Sequence, residues 1–157
     1  MVPKIVELKE VKVVGLSKTF EEAALAKELP ILQNNFRERA DEISLKVDDH
    51  LINVCIKKVG TRVTHFVGTE VNSYESIPEG MEDFTIPSQS CIFFEHQGSQ
   101  STVWKSFSLM YKWAKDHHCL LDTNGFKIDV TITEDPPVHE LYIKLADKIE
   151  QSAEKAV

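Results

Sequence analysis

The sequence predicts an α+β fold of two strand-helix-strand-strand repeats, and three observations support this prediction. Residues 127–133 and 138–145 alternate between apolar and polar side chains, as strands with one buried face do. Residues 134–137 lie between them with the turn-forming sequence EDPP, so the two strands are expected to pair as an antiparallel hairpin. The same order of strand and helix patterns occurs in both halves of the chain.

The first half begins with a short predicted strand at residues 11–17 and continues into a helix. Pro30 is expected in the first turn of that helix, where a missing N–H costs no hydrogen bond. Residues 51–56 and 64–71 are the two strands that follow. The helix is predicted from apolar residues spaced by three, four or seven positions: Leu25, Leu29, Leu32, Phe36, Ala40 and Ile43.

The second half repeats this order. A strand at residues 90–96 precedes a helix, and the N-cap candidates Ser99 and Ser101 mark where that helix is expected to begin. The hairpin of residues 127–145 follows the helix. One strand-helix-strand-strand unit leaves a sheet edge and a sheet face uncovered, so two such units are expected to associate. The apolar side of this helix carries Val103, Phe107, Tyr111 and Ala114.

The whole chain, residues 1–157, is predicted to form one domain with two halves. Residues 76–87 are rich in proline and glycine and are predicted to connect the halves. The first half then covers about residues 1–75 and the second about residues 88–147. Residues 148–157 are predicted to form a polar C-terminal tail.

The composition argues against several classes of partner. The formal net charge is -7, and the basic residues are scattered, whereas phosphate neutralisation needs a concentrated basic surface. We therefore expect no direct contact with nucleic acid. No leader sequence and no apolar run of membrane-spanning length is present. The odd number of cysteines, 3, predicts free thiols in a reducing compartment, and so a cytoplasmic protein.

The only local cluster of soft metal ligands in the sequence is His117, His118 and Cys119. Neighbouring residues on a helix point in different directions, and no second cluster lies at the spacing of a zinc finger. The sequence therefore predicts neither a metal site nor a cofactor.

Several segments of the chain resemble GyrI-like proteins and occur in the same order as in that family. They are IP at 86–87 with CIFFEHQG at 91–98, YKW at 111–113, ELYI at 140–143, and the first helix around 29–39. The family includes effector-binding domains of bacterial AraC- and MerR-type transcription regulators. The resemblance implies two repeats related by approximate two-fold symmetry. It also implies an antiparallel sheet with both helices on one face and a ligand cleft between the halves.

The match begins within the first few residues, and no helix-turn-helix pattern flanks it. The resemblance therefore implies a stand-alone effector-binding domain that does not pass its signal directly to DNA. Two positions depart from the family pattern. Lys144 stands where the family usually has proline, and Asp129 stands where many members carry glutamate.

Glu140 and Tyr142 are the first candidates for ligand binding, because they share the polar face of the last predicted strand. The resemblance implies that Glu140 lies at the floor of the cleft; the alternative is a solvated carboxylate on an exposed strand face. Asp129 is predicted on the same face of the neighbouring strand, where it adds a second negative charge. Two carboxylates in one cleft raise each other's pKa.

Three aromatic residues are candidates for the wall of the cleft: Phe66, Phe93 and Trp113. Phe66 lies on the polar side of its strand. Trp113 lies off the apolar stripe of the second helix, so it either packs on a loop or lines the cleft. Phe93 and Phe94 must point to opposite faces, and the alternation leaves open which of them faces the cleft.

The combination of carboxylates and aromatic rings favours a protein that senses or sequesters small ligands, either lipophilic cations or neutral aromatic compounds. No catalytic residue is assigned, because neither a G-x-S-x-G elbow nor a Cys-His pair is indicated. One alternative is a hydrolase of reactive small molecules, in which Glu140 acts as general base and Tyr142 donates a hydrogen bond or orients the reacting group. Another is binding to a protein partner, like that of the gyrase-inhibiting family members, through the acidic surface.

Overall fold

The computed structural model of the protein describes residues 2–122 and 126–147. The predicted polar tail at residues 148–157 lies outside these residues. The described residues divide into two compact units. The central unit is Lys9–Ser88, and the C-terminal unit consists of the chain from Gln89 onward together with the first eight residues.

The fold is α+β, as predicted, with eight strands and two α-helices among the described residues. In chain order they are β1 Lys4–Leu8, β2 Val11–Glu21, α1 Leu25–Arg39, β3 Leu51–Val59, β4 Arg62–Glu70, β5 Glu82–Ile86, β6 Gln89–Gln97, α2 Val103–Asp116, β7 Lys127–Glu134 and β8 Pro137–Lys144. The two predicted repeats are confirmed as β2-α1-β3-β4 and β6-α2-β7-β8. Neither helix in the described part of the chain is long and apolar enough to span a membrane.

In the central unit, helix α1 packs on one face of four antiparallel strands. The strand order is β3-β4-β2-β5. Leu32 and Phe36 on α1 pack with Val14 and Val67 on the strands. Helix α1 runs through Pro30 instead of beginning there, so that prediction was wrong. A proline near the start of a helix removes a single backbone hydrogen bond and keeps a helical φ.

The C-terminal unit has the same internal arrangement. Its strands are antiparallel in the order β7-β8-β6-β1, and α2 packs on one face of them. Val103 and Met110 on α2 pack with Ile92, Leu141 and Ile143 on the strands. The predicted hairpin is confirmed, because β7 and β8 pair directly around a short turn.

Each repeat has one additional strand that the sequence did not predict. β1 pairs with β6, although residues 1–8 were expected to belong to the first half. β5 lies within the expected connector at 76–87 and pairs with β2. In both cases the additional strand covers a backbone edge that β2 or β6 would otherwise expose.

Replacing Leu141 with alanine should lower the free energy of unfolding by about 2–5 kcal/mol, because it leaves a cavity under α2. Leu141 is 0% exposed, whereas Leu109 on α2 is 44% exposed. Leu109→Ala is therefore the matched control and should change stability by less than about 1 kcal/mol. Urea denaturation of both variants measures the difference, and equal losses would contradict the assignment of the α2 core.

Candidate functional site

Strand β8 has a buried face and a partly exposed face that alternate residue by residue. His139, Leu141 and Ile143 are buried, and the side chains between them are partly exposed. Because Leu141 and Ile143 pack with α2, Glu140 and Tyr142 lie on the face turned away from that helix. The predicted separation of Glu140 from Ile143 is confirmed.

Strand β6 supplies the other half of this face. Residues directly opposite each other in an antiparallel pair point to the same side of the sheet. Phe93 is opposite Tyr142, and Glu95 is opposite Glu140. All four side chains are partly buried. We call them the acidic-aromatic face: Phe93, Glu95, Glu140 and Tyr142.

The strand register answers the question that alternation left open for Phe93 and Phe94. Phe94 is opposite Leu141 and packs against the core under α2. Phe93 therefore faces the same side as Glu140. A signal for this was present in the sequence, because Glu95 lies two residues after Phe93 and marks the polar side of β6.

The acidic-aromatic face brings its rings and carboxylates into contact. The rings of Phe93 and Tyr142 have centroids 5.3 Å apart and an interplanar angle of 56°. The Tyr142 hydroxyl donates to Glu140 Oε1 over 3.3 Å. Gln97 Nε2 donates to Glu95 Oε1 over 3.0 Å. Each carboxylate thus accepts one neutral donor from its own strand.

The charges of this face affect the phenol of Tyr142. Burial raises the pKa of Tyr142 well above its usual range, and the negative charge of Glu140 and the hydrogen bond to it add to this effect. Tyr142 therefore keeps its proton at neutral pH and acts as a hydrogen-bond donor to Glu140. Glu95, which sequence reasoning did not single out, contributes the second negative charge that had been assigned to Asp129.

Cys91 lies on the same side of β6, two residues before Phe93, but it is not a nucleophile. Its side chain is 0% exposed. Burial raises the pKa of the Cys91 thiol to about 12. The thiol is therefore protonated at neutral pH, whereas the thiolate is the reactive form.

Asp129 does not share the face of Glu140, so that prediction was wrong. Asp129 is opposite Leu141, and Val130 is opposite Glu140. The Asp129 carboxylate therefore lies on the side of the sheet that α2 covers. There His139 Nδ1 donates to its Oδ1 over 2.7 Å, and Gln100 Nε2 donates to its Oδ2 over 2.9 Å.

The prediction placed Asp129 on the wrong side of the sheet for a physical reason. The prediction assumed that the apolar residues of β7 would face the helix and that its polar residues would face away. Ile128 and Asp129 are both buried, at 2% and 4% exposure, so both faces of β7 are covered at this point. Polarity cannot assign the sides of such a strand, because a buried carboxylate is tolerated wherever donors are available.

A buried polar network lies beside Asp129 on the α2 side. His96 Nδ1 is 2.6 Å from Ser106 Oγ, and His96 Nε2 is 3.0 Å from Thr102 Oγ1. The rings of His96 and His139 have centroids 5.9 Å apart. The two hydrogen bonds link β6 to the first turn of α2 and to the residue just before it, so they help to position the helix on the sheet.

Trp113 also lies on the α2 side. Its ring packs against the core under α2 and stacks on His117, with centroids 4.2 Å apart. Trp113 therefore packs within its own helix and core, and it does not belong to the acidic-aromatic face. Of the two alternatives predicted for Trp113, packing on a loop or lining the cleft, neither describes these contacts with the α2 core and with His117.

Phe66 belongs to the central unit. It lies opposite Ser17 and Val54, on the face of the strands away from α1. Phe66 is 1% exposed, and its ring centroid is 5.6 Å from that of Phe84. It lies on the predicted side of its strand, as a fully buried residue.

The described residues contain no group of three or more His, Cys, Asp or Glu side chains that could hold a metal ion. The chemistry available at the acidic-aromatic face is that of two carboxylates, a phenol and a benzene ring.

The chain matches the family model of the GyrI-like small-molecule-binding domain over residues 1–146. It belongs to the GyrI-like family. BrlR, a transcriptional regulator from Pseudomonas aeruginosa, is 29% identical to this GyrI-like chain over 109 residues. The matched region is 69% of this chain and 40% of BrlR, so the chain spans less than half of that relative.

Solved structures share the fold at low sequence identity. The structure of SAV2435 bound to tetraphenylphosphonium superposes with a TM-score of 0.75 at 15% identity, covering 96% of each chain. The C-terminal domain of EcmrR superposes with a TM-score of 0.63 at 15% identity, covering 92% of this chain and 97% of the other. These likenesses confirm the GyrI-like fold for the described residues.

Asp129→Ala tests the corrected position of Asp129 in this GyrI-like domain. It removes the acceptor of the buried His139 Nδ1 and of the partly buried Gln100 Nε2, and should lower the free energy of unfolding by about 1–3 kcal/mol. Asp135→Ala, in the exposed hairpin turn, is the control and should have almost no effect. Chemical denaturation measures both. A ligand affinity that falls in the folded Asp129→Ala variant, with unchanged stability, would contradict the structural role.

Proposed function

We propose that this chain binds lipophilic aromatic cations at the acidic-aromatic face and serves to sense or sequester them. The observation that carries the proposal is the position of two facing carboxylates beside two contacting rings. Glu95 and Glu140 are directly opposite each other, and Phe93 and Tyr142 form the next pair along the same strands.

The carboxylate pair favours a positive ligand. Like charges directly opposite each other in an antiparallel pair destabilise the sheet. Gln97 and Tyr142 donate to these carboxylates but carry no positive charge. A cation placed between Glu95 and Glu140 removes the repulsion and gains attraction to both groups. The attraction between the cation and the carboxylates is stronger where the carboxylates are partly withdrawn from water.

The aromatic pair favours a ligand with apolar surface. The tilted arrangement of Phe93 and Tyr142 presents a ring face and a ring edge within one small area. A cation over a ring face gains about 0.5–2 kcal/mol, depending on how far it is desolvated. Aryl groups on the ligand add apolar contact with the same rings. A bulky aromatic cation therefore satisfies both parts of the face.

The relatives support this ligand class and a regulatory role. SAV2435, which has the same fold, has been solved with tetraphenylphosphonium, a bulky aromatic cation. BrlR is a transcriptional regulator. The proposed role of this chain is ligand sensing of the kind found in transcription regulators, or sequestration of such cations.

The test compares a cation with a neutral compound of nearly the same shape. Methyltriphenylphosphonium and triphenylphosphine oxide are such a pair, and calorimetry should show tighter binding of the cation. Glu140→Gln keeps the side-chain shape and removes the charge. It should weaken cation binding by about 1–3 kcal/mol, the scale of a hydrogen bond to a charged group, and leave the oxide almost unchanged.

Glu38→Gln is the control for this experiment, because Glu38 is an exposed carboxylate on α1 and the net charge changes equally. It should bind both ligands like the unmodified protein. If Glu140→Gln weakens the cation and the oxide equally, the carboxylate shapes the site without selecting charge. If the unmodified protein binds neither ligand, the ligand class is wrong.

Phe93 and Phe94 provide a second test with a built-in control. Phe93→Leu removes a ring of the acidic-aromatic face and should weaken both ligands by about 0.5–1.5 kcal/mol. Phe94→Leu alters a residue of the α2 core and should lower stability while leaving affinity unchanged. Calorimetry and thermal denaturation of the two variants measure this. The opposite assignment of the two effects would contradict the strand register of β6.

A further inference from the structure

A cation of the protein itself already lies against the acidic-aromatic face. Lys4 on β1 is opposite Phe93 on β6, so the two side chains point to the same side of the sheet. Lys4 Nζ is 5.5 Å from the centroid of the Phe93 ring. This is the distance range of a cation–π contact.

Lys4 differs from Lys144, which lies on the same side of strands β6 and β8 as Phe93. Lys144 is opposite Cys91, and its Nζ forms an ion pair with Asp122 Oδ2 over 2.5 Å. Lys4 forms no ion pair within residues 2–122 and 126–147, and the Phe93 ring is the contact that its ammonium makes there. Lys4 is exposed, so its charge remains hydrated and its side chain can move.

We propose that Lys4 determines which cations the protein binds. Its ammonium lies over the Phe93 ring in the free protein and must move away when a ligand cation binds. This inference rests on the proposed function. Two cations over the same ring repel each other. The ligand cation therefore binds over the Phe93 ring only after the Lys4 ammonium has moved away. The flexible four-carbon side chain allows the ammonium to withdraw into water at small cost.

The exchange has a consequence for ligand choice. A small, strongly hydrated cation gains no more from the ring than Lys4 does, so it does not displace the lysine. A cation with large aryl surfaces gains apolar contacts that an ammonium cannot make. Lys4 therefore lowers the affinity of the protein for every cation. Only cations with extensive apolar surface still bind tightly.

The test is Lys4→Met, which keeps an unbranched apolar side chain and removes the charge. An exposed cation–π contact of about 0.5–1 kcal/mol corresponds to a factor of about 2–5 in affinity. Methyltriphenylphosphonium should therefore bind about 2–5 times more tightly to Lys4→Met, and triphenylphosphine oxide should bind as before. Lys4→Arg keeps the charge and should behave like the unmodified protein.

Lys105→Met is the matched control. Lys105 Nζ is 5.8 Å from the ring centroid of Trp104 on α2, so this variant removes the same charge and a similar contact elsewhere. It should leave both affinities unchanged, and the same gain in Lys105→Met would assign the effect to net charge alone. A purely structural role of Lys4 in holding β1 predicts equal changes for the cation and the oxide, which would overturn the inference.

The experiments distinguish a failure of the proposed cation-binding function from a failure of the inference on Lys4. If the unmodified protein prefers the cation and Glu140→Gln removes the preference, but Lys4→Met binds the cation no better, only the inference on Lys4 is wrong. If the unmodified protein shows no preference for the cation, the proposed function is wrong and the inference on Lys4 falls with it.

Discussion

The proposed site depends on the two-residue alternation of strand β8. Leu141 and Ile143 are held under α2 by apolar packing, and this packing determines where the intervening side chains point. A shift of β8 by one residue would bury Glu140 under the helix and expose Leu141, at a cost of several kcal/mol from each exchange. The core under α2 therefore maintains the orientation of Glu140 and Tyr142. The pairing with β6 then adds Glu95 and Phe93 to the same side.

In the proposed site, two carboxylates are directly opposite each other, an arrangement that a bound cation would stabilise. Glu95 accepts a hydrogen bond from the Gln97 amide and Glu140 accepts one from the Tyr142 phenol, and neither donor carries a positive charge that would offset the repulsion between the two carboxylates. The buried carboxylate on the other side of the sheet is arranged differently, because Asp129 accepts hydrogen bonds from both His139 and Gln100. Under the proposed function, a cation would add a positive partner to Glu95 and Glu140, whereas both oxygens of Asp129 already accept a hydrogen bond. We propose that this difference separates a ligand-binding face from a structural network.

Much of the fold could be predicted from the sequence, because apolar periodicity identifies elements whose two sides differ strongly. The hairpin of β7 and β8 and the two long helices were predicted for this reason. β1 and β5 were missed because they are short strands whose pairing partners lie far along the chain. The position of Glu140 and Tyr142 on one face of β8 followed from alternation, and their role in ligand binding stays a prediction. Asp129 was placed on the wrong side because both faces of β7 are buried there, and Glu95 was overlooked because its importance depends on the register of β6 with β8.

The most direct test of the account is to locate the bound cation by nuclear magnetic resonance. Protein with carbon-13 in the glutamate carboxyl groups and in the phenylalanine and tyrosine rings would be titrated with methyltriphenylphosphonium. We expect the largest shifts at the carboxyls of Glu95 and Glu140 and the rings of Phe93 and Tyr142. Saturable shifts that leave these four residues unchanged and are largest at other glutamates or rings, such as those of Glu134 and Phe107, would contradict it.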